Sequence, residues 1–151
     1  MTWVFQLGLT IESVLNILGA GTFLLYPEWC LSYTVSTPKV PASAATLWQT
    51  YAVLVLALTF PILLCIPNSK GVFEKRKIIF ETLVAGEVAL VGLLLWHAVK
   101  PAEESGFMRS GLILATLNLL PALTWHSFCI WGVPGLMVES GSVDAGREKE
   151  L

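Results

Sequence analysis

The chain has 151 residues, 55% of them hydrophobic and only 13% charged, with a formal net charge of −2. Soluble domains carry roughly 25% charge, and a globule of this size could not hide so much apolar surface. Composition therefore excludes an ordinary soluble enzyme and a disordered chain. The absence of a basic run long enough to follow a phosphate backbone excludes nucleic acid as a partner. The class that remains is an integral membrane protein.

Four apolar stretches are long enough to cross about 30 Å of hydrocarbon, which takes about 20 helical residues. They run over about 3–26, 45–66, 78–99 and 107–131. Inside lipid a chain must satisfy its own backbone, so each is expected to be helical. The predicted fold is an all-α antiparallel four-helix bundle, with a four-span domain over 1–135 and a polar tail over 136–151. The first stretch has no Lys or Arg before it and is too long for a signal-peptide core, so it reads as a span. The connection PEWCLSYTVSTPKVPAS reads as a loop or short interfacial segment, and PNSKGVFEKRK and KPAEESG read as loops.

Orientation follows from the basic residues. Lys70, Lys75, Arg76 and Lys77, with Arg147 and Lys149 of the tail, make six on one side; Lys39, Lys100 and Arg109 make three on the other. The expectation is that both termini are cytoplasmic. The tryptophans fit an aromatic belt, with Trp3, Trp125 and Trp131 near the cytoplasmic interface and Trp29, Trp48 and Trp96 near the other. The tail ending resembles an endoplasmic-reticulum retrieval signal, but such signals are read in the lumen and this tail is expected in the cytoplasm. In a eukaryotic cell the endoplasmic reticulum is the expected membrane. Cys30, Cys65 and Cys129 are widely spaced and form neither a disulfide framework nor a zinc site.

Each span carries small and polar residues at helical spacing. Span one offers Gly8, Glu12, Asn16 and Gly19; span two Ala45, Gln49, Ala52 and Thr59. Span three offers Glu81, Ala85, Glu87 and Gly92; span four Gly111, Ala115, Asn118, Ala122, His126 and Cys129. Such faces pack helix against helix, with Leu, Val and Ile turned outward. Carboxyls in mid-membrane are costly, and an intramembrane acid is a functional-site hypothesis by default. Glu12 and Glu87 each lie nine residues into their spans from the same side, about 13 Å down at 1.5 Å per residue. Asn118 returns to a comparable level, so a Glu12–Glu87–Asn118 cluster is expected at the centre. A neutral carboxyl beside an ionised one makes a donor–acceptor pair suited to proton transfer.

The catalytic expectation is therefore Glu12 and Glu87 as acid and base. Asn16, Gln49 and Asn118 would orient a substrate, Tyr51 and Trp48 would face a cationic intermediate, and His126 would join the substrate-binding set. A protonated Glu hydrogen-bonded to Asn on a neighbouring helix would equally serve as a structural clamp. Glu81, within one turn of Lys77, is expected to be solvated or ion-paired, and His97 and His126, toward opposite membrane faces, to be interfacial or hydrogen-bonded. His126 with Glu81, both near the cytoplasmic end, is the one histidine pairing worth testing. Pro61 and Pro121 kink spans two and four and would open a lateral mouth. No haem pair, flavin loop or di-iron Glu-x-x-His motif is present, and neither cofactor nor metal is expected.

The size, the four-span layout and GAGTFLLYP closing the first span, with Gly19, Gly21 and Pro27, resemble the small DoxX-like membrane proteins. The layout also resembles four-span proteins of fungal biosynthetic clusters, among them membrane terpene cyclases and anthrone oxidases. The cyclases usually have about seven spans, so only the analogy of intramembrane acids carries over. The histidine and tryptophan pattern of the oxidases is not matched, and neither resemblance transfers a site residue. The expected function is an integral membrane isomerase or cyclase, acting by acid–base catalysis on a terpenoid, polyketide or sterol-like substrate from the bilayer. Two alternatives stand beside it. One is a proton-coupled transporter, since Glu12 resembles the essential acid of small multidrug-resistance exporters in its placement. The other is a non-catalytic subunit of a biosynthetic complex. A second copy of the chain or a membrane enzyme are the expected protein partners.

Overall fold

The computed structural model describes residues 2–69 and 71–137. It is helical, and among the described residues extended pairing is limited to one bridge between Val35 and Phe107. The elements are α1 Thr2–Leu25, α2 Pro27–Ser32, α3 Ala42–Leu64, α4 Val72–Ala98, α5 Ala102–Ser105 and α6 Arg109–Ser127. A π-helical turn over Phe128–Gly132 continues α6, and a 3₁₀ turn over Pro134–Met137 follows. Four stretches, Trp3–Leu25, Ala42–Leu64, Val72–Ala98 and Arg109–Gly132, are long and apolar enough to cross a membrane. The expected tail, including Arg147 and Lys149, lies outside the described residues from 138 on, as does Lys70.

The segment expected as the PNSKGVFEKRK loop is helical over its second half, and α4 begins at Val72 rather than near Ile78. The cause is a buried face, Val72, Arg76, Phe80, Val84 and Glu87, recurring every three or four residues. That face also corrects the expected inner stripe of span three. Glu87 is buried, whereas Glu81, Ala85 and Gly92 are exposed. The segment expected between spans one and two holds the short helix α2, with Pro27 at its first position, where a missing N–H costs nothing.

Helices α1 and α3 pack together, and so do α4 and α6. The first pair runs in opposite directions. Gln49, early in α3, donates to Leu24 O at the end of α1 (2.9 Å), and Gln6, early in α1, donates to Ile66 O just past α3 (2.9 Å). The pairs meet through Phe5 and Phe80, whose ring centroids are 5.5 Å apart. At that end Arg76 is 1% exposed and holds several elements together. Its Nε and Nη2 donate to Cys65 O (3.0 and 2.8 Å), Nη2 to Ile66 O and Asn68 Oδ1, and Nη1 to Met137 O (3.0 Å). Its guanidinium lies 4.9 Å from the Phe5 ring centroid. Arg76 is thus a buried tie, not the solvated loop charge its sequence context implied.

At the opposite end the two inter-helix connections are stitched together. Met108 N donates to Thr34 O (2.7 Å) and Ser36 N to Gly106 O (3.1 Å). α6 begins so close to this seam that a Cβ on Gly111 would lie 2.7 Å from Tyr33 O and 2.8 Å from Thr34 Cα. Outward faces are covered by large apolar side chains, among them Leu7, Ile11, Leu18, Leu54, Val88 and Leu114. Trp3, Trp29, Trp96 and Trp131 are each more than half exposed, as an interfacial belt requires.

Candidate functional site

Glu12 is carried by α1, Glu87 by α4 and His126 by α6, near the middle of the first two helices and six residues before the end of the fourth apolar stretch. The imidazole stands between the two carboxyls. Its Nε2 is 3.1 Å from Glu12 Oε2, and its Nδ1 is 3.0 Å from Glu87 Oε1 and 3.1 Å from Glu87 Oε2. The ring is 1% exposed and packs against Phe80, centroid to centroid 4.6 Å. Glu12 and Glu87 therefore do not touch directly, as the depth argument expected; they communicate through a histidine. His126 is not paired with Glu81, which lies 4.0 Å from Lys77 on an exposed face, the solvated ion pair its spacing predicts.

Direction of the side chains explains why this partner was missed. Cβ bonds tilt toward the N-terminus of a helix. On α1 and α4 the glutamates lean one way, and on α6, which returns past α1, His126 leans toward them. Counting along α1, Glu12 is ten residues from its start; counting back from Gly132, His126 is six from the end. The difference is about 6 Å of axial rise, and two side chains leaning together close it. Matching Cα depths alone selects Asn118 instead.

The geometry sets the smallest number of protons with which both contacts are hydrogen bonds. Two N···O contacts need two protons among three groups. Either an imidazolium donates to two carboxylates, or a neutral ring donates to one carboxylate and accepts from a carboxylic acid. Both arrangements carry a net charge of −1, and moving a proton between them changes neither count nor charge. A third proton brings the cluster to neutrality. The arrangement is a short relay along which a proton can pass between Glu12 and Glu87.

Glu12 is the open end of that relay. Its side chain is 14% exposed, and it borders a cavity of about 550 Å³ between α1 and α6, with Gly8, Asn16, Asn118, Pro121 and Trp125 around it. Apolar Val4, Leu7, Ile11 and Leu15 complete the wall, so the opening faces the side that hydrocarbon would occupy. Glu12, Asn16 and Asn118 of the expected set are thus brought together. Pro121 is among the residues around this cavity, and Pro61, inside α3, is not. Glu87 sits behind His126; its side chain is 11% exposed, close to that of Glu12, but it is not among the residues around this cavity.

The remaining expected residues are elsewhere. Gln49 ties α3 to Leu24 O. Trp48 and Tyr51 stack at 5.4 Å beside Phe23, 4.8 and 6.3 Å away. These contacts fall at the far end of α1, eleven residues from Glu12 or about 16 Å along the axis. That cluster is packing between α1 and α3, away from the cavity.

Two residues absent from the expected site shape it. Trp125, assigned to the belt from its position, lies against α1 instead. A Cβ on Gly8 would be 2.6 Å from its Cζ2, and its ring is 6.3 Å from that of Phe5. Gly8 stands one turn before Glu12, so the spacing Gly8–Glu12–Asn16 marked the face, though not what sat on it. Among the described residues there is no group of three His, Cys, Asp or Glu able to hold a metal ion.

Comparisons with family models, curated proteins and solved structures gave no match for this chain. Function is therefore read from the site itself.

Proposed function

We propose that the chain is a multi-pass membrane enzyme, an antiparallel four-helix bundle with both termini cytoplasmic. It isomerises or cyclises a small lipophilic substrate by acid–base catalysis. The observation that carries this reading is a carboxyl, Glu12, open to a lateral apolar cavity and wired through His126 to a second carboxyl, Glu87. The reactive class that suits such a site is an unsaturated terpenoid, polyketide or sterol-like molecule drawn from the bilayer.

The chemistry balances without a co-reactant. Glu12, holding a proton, gives it to one carbon of a substrate double bond; a C–H bond forms, the π pair is spent, and a carbocation develops beside the new carboxylate. In an isomerisation an adjacent C–H then returns its proton to Glu12 and leaves its electron pair as the shifted double bond. In a cyclisation a second double bond captures the cation before that loss. Either way the enzyme ends with the protons it began with. The step starts from the three-proton, neutral form of the cluster. Once Glu12 has given up its proton, Nε2–H of the His126 imidazolium donates to the Glu12 carboxylate, Glu87 offsets charge on the ring, and the cluster is left at −1. The net negative cluster favours a positive transition state in a dry site. Asn16 and Asn118 supply amide groups for a hydroxyl or carbonyl at the substrate's polar end. General acid–base catalysis of this kind contributes about 10²–10⁴-fold.

The test uses purified protein in lipid nanodiscs, a neutral-lipid extract of the source cells and deuterated water. Wild-type protein is expected to place solvent deuterium on carbon in one lipid component, read by mass spectrometry, and a folded Glu12→Gln variant is expected not to. Absence of exchange in the wild type, or equal exchange in the variant, overturns the reading. A proton-coupled transporter draws on the same open carboxyl, since Glu12 can load and release a proton toward the cavity. Counterflow of a cationic dye in proteoliposomes, without carbon exchange, would favour it.

A further inference from the structure

The chain has five side-chain amides, Gln6, Asn16, Gln49, Asn68 and Asn118. Three are tied within the fold. Gln6 donates to Ile66 O, Gln49 donates to Leu24 O, and Asn68 Oδ1 accepts from Arg76. The other two are Asn16 and Asn118, and among the described residues neither makes a side-chain hydrogen bond. Both border the Glu12 cavity, Asn16 from α1 and Asn118 from α6. Asn16 is half-buried and Asn118 is exposed, each on a stretch apolar enough to lie in hydrocarbon.

An amide turned to hydrocarbon has no water with which to replace its hydrogen bonds. Two such groups at one cavity, beside a carboxyl with an uncommitted oxygen, call for a polar occupant. A second copy of the chain would have to bring a helix close, and close approach in lipid uses small residues. The rim of this cavity on α1 is Val4, Leu7, Ile11 and Leu15. A small molecule meets the amides without that approach.

Position narrows the occupant further. On α1, Gly8, Glu12 and Asn16 follow at one-turn intervals, and side chains on one helix lean the same way. Asn16 therefore stays about 6 Å from Glu12 along the axis. On α6, Trp125 seats on Gly8 and His126 meets Glu12, so Asn118, earlier on that returning helix, stands on the Asn16 side of the acid. Both amides thus lie to one side of Glu12, and Trp125 lies to the other.

From this we infer that the substrate is an unsaturated lipophilic alcohol, with its hydroxyl held between Asn16 and Asn118, its double bond at Glu12 and the rest of its carbon skeleton toward Trp125. A hydroxyl donates to one amide oxygen and accepts from the N–H of the other amide. A ketone only accepts, and a hydrocarbon does neither. This rests on the reading of the Glu12 cavity as the substrate site. It narrows the terpenoid, polyketide and sterol-like candidates to those with a free hydroxyl about 6 Å from the reacting double bond.

The test is competitive binding in nanodiscs, read by native mass spectrometry. The probes are a fifteen-carbon unsaturated alcohol, its methyl ether and the parent hydrocarbon. The readout is the alcohol-to-hydrocarbon binding ratio of wild type against that of a variant, in which the bilayer's own preference for each probe cancels. The ratio is expected to fall about threefold in Asn118→Leu and about tenfold in Asn16→Leu combined with Asn118→Leu, the scale of one and two hydrogen bonds made inside a membrane. The ether is expected to bind between the other two probes. Asn118 is exposed, so leucine there faces lipid and the single variant keeps the test decisive where the double variant does not fold. An unchanged ratio in folded Asn118→Leu, or equal binding of ether and alcohol by wild type, overturns the proposal. A wild-type dimer that Asn118→Leu dissociates, with the ratio unmoved, assigns the amides to a second copy and overturns it as well. Binding is read without turnover. Deuterium exchange with no alcohol preference therefore refutes the hydroxyl anchor alone, and alcohol preference without exchange refutes the acid–base chemistry alone.

Discussion

Replacing His126 by Leu removes the bridge and leaves Glu12 and Glu87 facing a side chain of similar bulk with no polar atom. Two contacts of 3.0–3.1 Å are lost. Hydrogen bonds to charged groups are worth about 1.5–3 kcal/mol each, which would put the loss at about 3–6 kcal/mol. Within a membrane the unfolded helices also find polar partners, and measured inter-helix contacts average about 0.6 kcal/mol. The two limits bracket the effect at about 1–6 kcal/mol, and the burial of the ring places it toward about 3 kcal/mol. The larger part comes from carboxyls left without a counterpart, so neutralising them should recover stability. In His126→Leu combined with Glu12→Gln and Glu87→Gln, at least half of the loss is expected to return. Reversible unfolding by SDS in mixed micelles measures both variants against wild type. A single variant within about 0.5 kcal/mol of wild type, or a triple variant less stable than the single, would refute the proton-sharing cluster as an energetic unit.

Arg76 is expected to tolerate no substitute: Arg76→Met and Arg76→Lys should both lower stability by about 3 kcal/mol or more, because one ammonium cannot serve the carbonyls of Cys65, Ile66 and Met137 together; a lysine variant with wild-type melting would contradict the tie. Gly8→Ala should cost about 1–3 kcal/mol and be relieved by pairing it with Trp125→Phe, whereas Gly111→Ala, which meets backbone, should not be relieved by any side-chain change, and Gly19→Ala, which meets open space, should be neutral. Thermal unfolding in detergent ranks the three. For orientation, a cysteine at Thr37 should react with an impermeant maleimide from the non-cytoplasmic side and one at Lys75 from the cytoplasmic side of sealed vesicles; the reverse pattern would invert the topology. Background from native thiols is expected to be slow, since burial pushes the Cys30 and Cys65 thiols up. Finally, Glu12→Gln should abolish carbon exchange at nearly wild-type stability, while Glu87→Gln should slow it by about 10²-fold and retain part of it; equal effects on exchange would mean the two acids are interchangeable.

What composition dictates was legible in the sequence. Four apolar runs of sufficient length gave four helices, three of them within a few residues of their ends and the third beginning six residues early at Val72, because lipid leaves no other backbone solution. Where charge was the guide, legibility failed. Lys75, Arg76 and Lys77 read as a loop, yet Val72, Arg76, Phe80 and Val84 keep one helical face, and a guanidinium with carbonyl partners can sit on that face as well as a leucine. Glu12, Asn16 and Asn118 were recoverable from spacing and depth. His126 stood in the expected set, but its place between Glu12 and Glu87 was not recoverable, since a residue six positions from a helix end meets one at mid-helix only when antiparallel side chains lean toward each other. Trp48, Gln49 and Tyr51 show the opposite failure. Their residue types suited a site, but they lie early in α3 beside Phe23 and Leu24, about 16 Å along the axis from Glu12, a mismatch of depth that the span boundaries already implied.

A structural clamp and a proton-handling site can use the same three side chains, so the deciding feature is asymmetry. A clamp gains from closing both arms: any carboxyl oxygen left open in hydrocarbon loses stabilisation without return. Here the two carboxyl side chains are similarly buried, 14% and 11% exposed, but only Glu12 is among the residues around the cavity. Glu87 reaches Nδ1 with both oxygens, whereas Glu12 meets Nε2 through Oε2 alone and borders a cavity with two amides beside it. Gly8 borders that opening because its bare backbone seats Trp125, which also lines the cavity. The chain thus keeps room next to the one acid whose second oxygen is uncommitted, and it backs that acid with a histidine and a carboxylate that can take up the charge change. An opening, a free acceptor and a buffered proton at one point are what a reacting molecule needs and what a clamp would eliminate.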